Sequence, residues 1–167
     1  MIILGVDPGI AITGWGVVDY NARTNKFITL GYDSILTAAK QKPEDRLYQL
    51  FNQLDEVITK YNPVTMGVEE LFWNTNQKTG IIVAEARGVI LLCARKHGLE
   101  IGEYTPLQVK QAVAGYGRAE KKQVISMVTL LLGLPAPPKP DDTADALAVA
   151  MCHAHCGSSK LGRLYNK

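Results

Sequence analysis

Asp7 closes an apolar run, "IILGVD", and stands directly before Pro8-Gly9. In "GVEELF", Glu69 follows Gly67 by two positions, as Asp7 follows Gly5. Near the other end, "DDTADALAVAM" sets Asp142 and Asp145 three residues apart, which is one face of a helix. Four carboxylates gathered together repel one another and take up protons unless a cation offsets them. All-oxygen donors suit hard divalent ions, Mg2+ or Mn2+. Two such ions about 3.5–4 Å apart can clamp the attacking and leaving oxygens of a phosphodiester. The chemistry is that of a metal-dependent nuclease, with Asp7, Glu69, Asp142 and Asp145 as catalytic and metal-binding residues. Taken singly, each acid has a plainer reading. Asp7 begins an Asp-Pro-Gly turn, Asp141 or Asp142 caps a helix, and Glu69 is a solvated strand-end acid. Asp145, set among alanines, resists such a reading.

These acids need elements to bring them together. Residues 2–7, 13–21 and 26–37 read as strands joined by short turns, hence antiparallel hairpins. From Pro43 to Asn62, Leu47, Leu50, Phe51, Leu54, Val57 and Ile58 recur at helical spacing. A fourth strand is expected over 64–73, a long apolar helix over 80–98 with Gly98 as its cap, and a fifth strand over 99–105. Helices follow near 106–114 and 119–132, then a proline-rich connector and a last helix over 141–156. This order predicts an α/β domain with a mixed five-stranded sheet flanked by helices. Strands joined through helices lie parallel. If the first and fourth strands are neighbours, Asp7 and Glu69 stand side by side at their carboxyl ends, where open α/β sheets gather catalytic groups. The alternation also selects Glu69 over Glu70, which points to the opposite face.

The totals agree with this picture. The 167 residues, 47% apolar and 20% charged, fit one domain, expected over 1–156, with a basic, mobile tail over 157–167. No basic and apolar leader opens the chain, no run reaches the length of a membrane span, and the three cysteines form no even framework. A cytoplasmic protein with reduced thiols is expected. The net charge is +2, but without the four proposed ligands eighteen basic residues face twelve acidic ones, a formal +6. With those ligands neutralised by metal, the remaining surface suits a polyanion.

Lys110, Arg118, Lys121 and Lys122 crowd "VKQAVAGYGRAEKKQ" against the single acid Glu120. Gly115 and Gly117 interrupt the helical pattern there, so backbone can approach a phosphate. An ordinary solvated turn is the alternative. Phe72 and Trp73 follow the fourth-strand acid; they are either core or a platform for exposed bases. "NTNQKTG" (74–80) reads as a polar loop. The apolar helix around 81–95 is either wholly core or partly a dimer interface. "CHAHC" (152–156) suggests zinc, but structural zinc usually draws four ligands from separate segments, and cysteines suit a packing face. Packing is expected.

With these residues in hand, the chain resembles the RuvC family of bacterial Holliday junction resolvases, which has the ribonuclease H-like fold. The motifs that carry the resemblance are "ILGVDPGIAITGWGVV", "GVEELF", "EARGV", "QVKQAVAGYGRAEKKQV" and "DDTADALAVAMCHAH", spanning residue 2 to about 155. The resemblance implies a homodimer that binds four-way junction DNA, nicks two strands symmetrically at preferred sequences with two Mg2+ per site, and works beside the RuvA–RuvB branch-migration complex. Mn2+ is a substitute ion. Asp7, Glu69, Asp142 and Asp145 match the family's catalytic acids; Asp142 falls where members vary between aspartate and histidine. Lys110 and Lys121 match phosphate or catalytic-site contacts and Phe72 a base-contacting aromatic, with Arg118, Lys122 and Trp73 as further candidates for DNA contact. The alternative within the same fold is a nuclease acting on RNA or RNA–DNA hybrids. "DPGIAITGWG" is also similar to the phosphate-binding turn of sugar kinases and actin-like ATPases, but those need a second related domain, for which the chain has no room.

Overall fold

The computed structural model describes residues 1–71 and 77–157. Strands β1 (Ile2–Asp7), β2 (Ile12–Asn21) and β3 (Lys26–Leu36) come first. Helix α1 (Pro43–Tyr61), strand β4 (Thr65–Glu69), helix α2 (Gln77–Lys96) and strand β5 (Glu100–Tyr104) follow. Helices α3 (Pro106–Ala114), α4 (Lys121–Leu131) and α5 (Asp141–Gly157) complete the order. One sheet runs β3-β2-β1-β4-β5. The hairpins make β1–β2 and β2–β3 antiparallel, and the helical crossovers make β1–β4 and β4–β5 parallel, as the connection lengths predict.

Period-two alternation divides the core. Leu4 and Val6 of β1, with Met66 and Val68 of β4, face α1 and α2 together with Leu50, Leu54, Ile58 and Ile90. Ile3, Gly5 and Asp7 face the other way, as do Thr65, Gly67 and Glu69, towards α5. From Thr143 to Ala154, every α5 residue except Asp145 is buried. Each large apolar side chain so buried contributes roughly 1.5–3 kcal/mol. Glycines in the sheet let this helix sit close. A Cβ on Gly5 would stand 2.1 Å from the Ala146 carbonyl oxygen, and one on Gly67 would stand 2.8 Å from the His153 Cβ. The close seat fixes where α5 begins, and therefore where its first-turn acids lie.

Two boundaries differ from the expectation by three residues or more. β4 ends at Glu69 and not at 73. Its neighbours stop there too: β1 ends at Asp7, and after the Glu70 N–H bonds the Tyr104 carbonyl, β5 gives way to α3 at Thr105-Pro106. α2 begins at Gln77, so 77–80 are its first turn and not a loop; Gln and Lys are good helix formers and extend the apolar segment backwards. Residues 72–76, the rest of the expected strand and loop, lie outside the described residues, as does the expected tail over 157–167 except Gly157, which closes α5. α2 ends at Lys96, and Gly98, the expected cap, follows it with a φ of +75° that suits glycine and donates its N–H to the Arg95 carbonyl. Among the described residues no helix is long and apolar enough to cross a membrane.

Candidate active site

Gly5 of β1 lies opposite Gly67 of β4, and Val6 opposite Val68, in parallel register. One step further, Asp7 and Glu69 share a face at the two carboxyl ends. The paired glycines therefore predict the paired acids. On its other side Asp7 pairs with Gly14 of β2. The first turn of α5 passes over that glycine: a Cβ on Gly14 would stand 2.0 Å from the Asp142 carbonyl oxygen. Thr13 donates its hydroxyl to the Gly9 carbonyl, tying the Pro8-Gly9 turn to β2.

Asp145 reaches back towards the strand ends one turn into α5. The Lys121 ammonium, from the start of α4, donates to it at 2.9 Å and stands 3.8 Å from Asp141. Glu69, Asp145, Lys110 and Lys121 line one cleft of about 180 Å³, with Val109 and Val124 completing its apolar wall. Lys110 and Lys121 are brought there by different helices. Gly115, with φ +84°, ends α3, and a capping box between Glu120 and Gln123 starts α4.

The electrostatics of the cleft are unfavourable to its acids. Burial pushes the Asp7 carboxyl up to about 8, with the charges of Glu69, Asp145 and Asp142 adding to it and Lys121 opposing. Burial, then Asp145, raises Glu69 against a hydrogen bond with Asp7 and the charges of Lys121 and Lys110. Asp145 is also raised, chiefly by burial, despite its bond to Lys121. Burial works against the charge of Lys121, but its bond to Asp145 and the nearby acids prevail and raise it. A carboxyl that keeps its proton at neutral pH marks a place short of positive charge. The donors are all oxygen, so hard divalent cations fit.

The structure thus brings together Asp7, Glu69, Asp142, Asp145, Lys110 and Lys121. Arg118, in the α3–α4 turn, and Lys122, in the first turn of α4, are exposed and do not line the cleft. Phe72 and Trp73 lie outside the described residues. One contributor, Gly14, has no place in the sequence reading, and a second, Asp141, appears there only as a helix cap or an alternative to Asp142. Gly14 gives α5 its passage, and its signal was the second glycine pattern, "TGWG", on the strand beside Asp7. Asp141 shares Lys121 with Asp145, and no spacing rule predicts an ion pair across a proline-rich connector.

"CHAHC" has packing roles. His153 faces the sheet, its Nε2 2.6 Å from the Thr65 hydroxyl and its Nδ1 2.8 Å from the Tyr104 hydroxyl. Burial pushes its pKa down to about 4. His155 packs edge-on against Tyr20 and Phe27.

Comparison with known proteins places these features in a wider set. The model of the family described as "Crossover junction endodeoxyribonuclease RuvC" matches residues 3–153. A protein of that name from Alkaliphilus metalliredigens is 57% identical over 157 residues, 94% of each chain. Another from Ruminiclostridium cellulolyticum is 56% identical over 164 residues, 98% of this chain and 96% of its own. The solved structure of Thermus thermophilus RuvC superposes with a TM-score of 0.86 at 35% identity, covering 94% of this chain and 95% of that one. The Thermus protein has also been solved with a Holliday junction substrate, with the same TM-score of 0.86 at 32% identity. A yeast mitochondrial Holliday junction resolvase, at 17% identity and TM-score 0.64, shares the fold.

Proposed function

The chain belongs to the RuvC family of crossover junction endodeoxyribonucleases, and from that premise we propose that it resolves four-way DNA junctions by divalent-metal-dependent phosphodiester hydrolysis. The observation that carries the reading is the Asp7 carboxyl, pushed to about 8 where Glu69, Asp142 and Asp145 converge on it from another strand and from α5. Asp7, Glu69, Asp142 and Asp145 are the residues that hold two Mg2+, or Mn2+, in this reading. Bound ions supply Lewis-acid stabilisation of the charge that builds on the phosphate and leaving oxygens. Asp7 and Glu69, fixed on sheet ends, set the rigid half of the site; Asp142 and Asp145, on α5, set the other. Lys121 holds Asp145 by its hydrogen bond, opposes the rise of its pKa and, with Lys110, offers positive charge to the scissile phosphate. Arg118 and Lys122, exposed beside the cleft, contact flanking phosphates and set register without reading bases. Phe72 and Trp73, immediately beyond Glu69 in the chain, stack on bases opened at the junction, as the family resemblance suggests for Phe72.

Symmetric cutting of a junction needs two sites, and the chain works as a homodimer in this reading. Ile81, Glu85, Gly88 and Leu92 form one exposed stripe along α2, with Ile81 55% and Leu92 65% exposed. A Cβ on Gly88 would meet nothing within 4 Å, so the stripe offers bare backbone between two apolar side chains. The cytoplasm is the place of action and the RuvA–RuvB complex the working partner. The relatives named above are junction nucleases, so an activity on RNA or hybrids is not favoured.

The test pairs a gel shift in Ca2+ with a cleavage assay in Mg2+ on a synthetic four-way junction. Asp7→Asn retains the shift and loses the cleavage. Full cleavage by this variant would remove the acids from the reaction.

A further inference from the structure

A second set of donors lies away from the acid cluster and takes no part in the reading above. Asp55 of α1 faces the carboxyl end of α2, where His97, the residue just past the helix, donates its N–H to the Cys93 carbonyl four residues back and so shares a face with it. One donor atom from each, a carboxylate oxygen, the thiol sulfur and a ring nitrogen, lies within 4.8 Å of both others. His97 Nε2 is 2.9 Å from an Asp55 carboxylate oxygen. Cys93 is fully buried beneath them, while the Asp55 and His97 side chains keep 30% and 24% of their surface in solvent. The cluster is therefore closed on the sulfur side and open on the other. It also sits at the carboxyl end of α2, whose partial negative charge favours a cation.

We propose that Asp55, Cys93 and His97 form a binding site for one zinc-class cation, with water in the fourth position, which ties α1 to the end of α2. One sulfur, one nitrogen and one oxygen donor are a zinc-type set, unlike the all-oxygen site at the strand ends. As the metal–sulfur bond forms, the Cys93 thiol proton leaves to solvent. Lys96 is the resident competitor. Its ammonium is 2.9 Å from the same Asp55 oxygen and 5.1 Å from the Phe51 ring centroid, and it is 56% exposed, so it can swing out as metal enters.

Cobalt is the probe, because a cobalt–thiolate bond adds a near-ultraviolet charge-transfer band that carboxylates cannot give. The purified full chain is titrated with Co2+ in excess Mg2+, which occupies the acid cluster. The expected result is one equivalent with the thiolate band and a rise in melting temperature on adding Zn2+. Cys93→Ser abolishes the band, and Cys156→Ser keeps it. His97→Gln, a change at the surface, weakens cobalt binding by at least the roughly 10–100-fold that loss of a mere orienting partner costs. Lys96→Ala tightens it by removing the competitor. An absent band, a band that follows Cys156, or an affinity indifferent to His97 would overturn the proposal.

Discussion

Asp7 and Glu69 stand side by side at the carboxyl ends of two parallel strands, one register step past the Val6–Val68 pair. No sequence-local contact joins them. Their neighbourhood follows from a crossover through α1 and from glycines at positions 5 and 67 that admit α5. Two half-buried acids held so close destabilise the metal-free fold whenever both are ionised, and this penalty can be measured.

The Asp7 carboxyl has an ordinary value near 3.8 and is held near 8 in the metal-free fold. An acid raised on folding favours the folded state fully below its unfolded value, and that contribution is lost as pH rises through the folded one. Melting temperature in EDTA should therefore fall between pH 5 and pH 8 by more in the parent chain than in Asp7→Asn. Mg2+ should raise it most at pH 8, where it does not compete with protons. For a domain of this size each kcal/mol is about 2–4 °C, so the difference is within reach of calorimetry. Parallel pH curves for the two proteins would contradict the raised carboxyl.

Gly14→Ala tests the passage of α5. The added methyl would stand 2.0 Å from the Asp142 carbonyl oxygen, which is backbone and cannot rotate away. The turn bearing Asp142 must move. Overpacking of this kind costs typically about 1–3 kcal/mol. Cleavage should fall further than junction binding, because Asp142 shifts while Lys110, Arg118 and Lys122 stay in place. A gel shift and a cleavage time course on the same preparation measure both.

The strand directions were legible because connection length decides parallel against antiparallel, and alternation decides the face; the order β3-β2-β1-β4-β5 came from the structure. Gly5-Val6-Asp7 and Gly67-Val68-Glu69 advertised their own pairing. The helix spacing of Asp142 and Asp145 was equally plain. What stayed hidden was interaction between remote segments. β4 stops where its neighbours stop, a fact absent from its own residues. The bond from Lys121 to Asp145 depends on how α4 settles beside α5. Asp55 meets Cys93 and His97 only because α1 packs on α2, and no motif spans the intervening residues. "CHAHC", compact along the chain, was legible as packing, and His153 and His155 do pack against the sheet and its aromatics.

His153 is a buried imidazole held neutral between Thr65 and Tyr104. Its folded value lies near 4 against an ordinary 6.5. A depressed value gives stability that is present above the unfolded pKa and erodes as pH falls towards the folded one. Replacing it with alanine removes both hydrogen bonds and leaves a cavity, at about 2–4 kcal/mol. The loss should be larger at pH 7.5 than at pH 4.5, where the parent has already lost the advantage. Urea unfolding at the two pH values measures it.

Leu92→Glu places a charge in the exposed α2 stripe, 65% exposed in the single chain, where folding alone imposes little cost. If the stripe is the dimer face, this variant sediments as a monomer with an unchanged circular dichroism spectrum. On a junction it yields single nicks in place of paired ones. A dimer that survives the charge would move the interface elsewhere.

Lys121 is the residue whose role separates two accounts of the cleft. Its ammonium bonds Asp145 and lowers Asp7, Glu69 and Asp145 together. Were it only a phosphate contact, Lys121→Met would weaken junction binding, reduce its salt dependence and leave the pH profile of cleavage in place. As a partner of the acids it does more. Without the ammonium all three carboxyls are raised further, so ionisation is delayed and the acid limb of the cleavage profile moves to higher pH. Single-turnover cleavage at saturating protein should drop by about 10²-fold at pH 7, the scale of a lost electrostatic contact, and recover partly at pH 9. Arg in the same place keeps the charge and restores the limb, which a loss of packing would not do. A limb that stays put in Lys121→Met would confine the lysine to the DNA backbone.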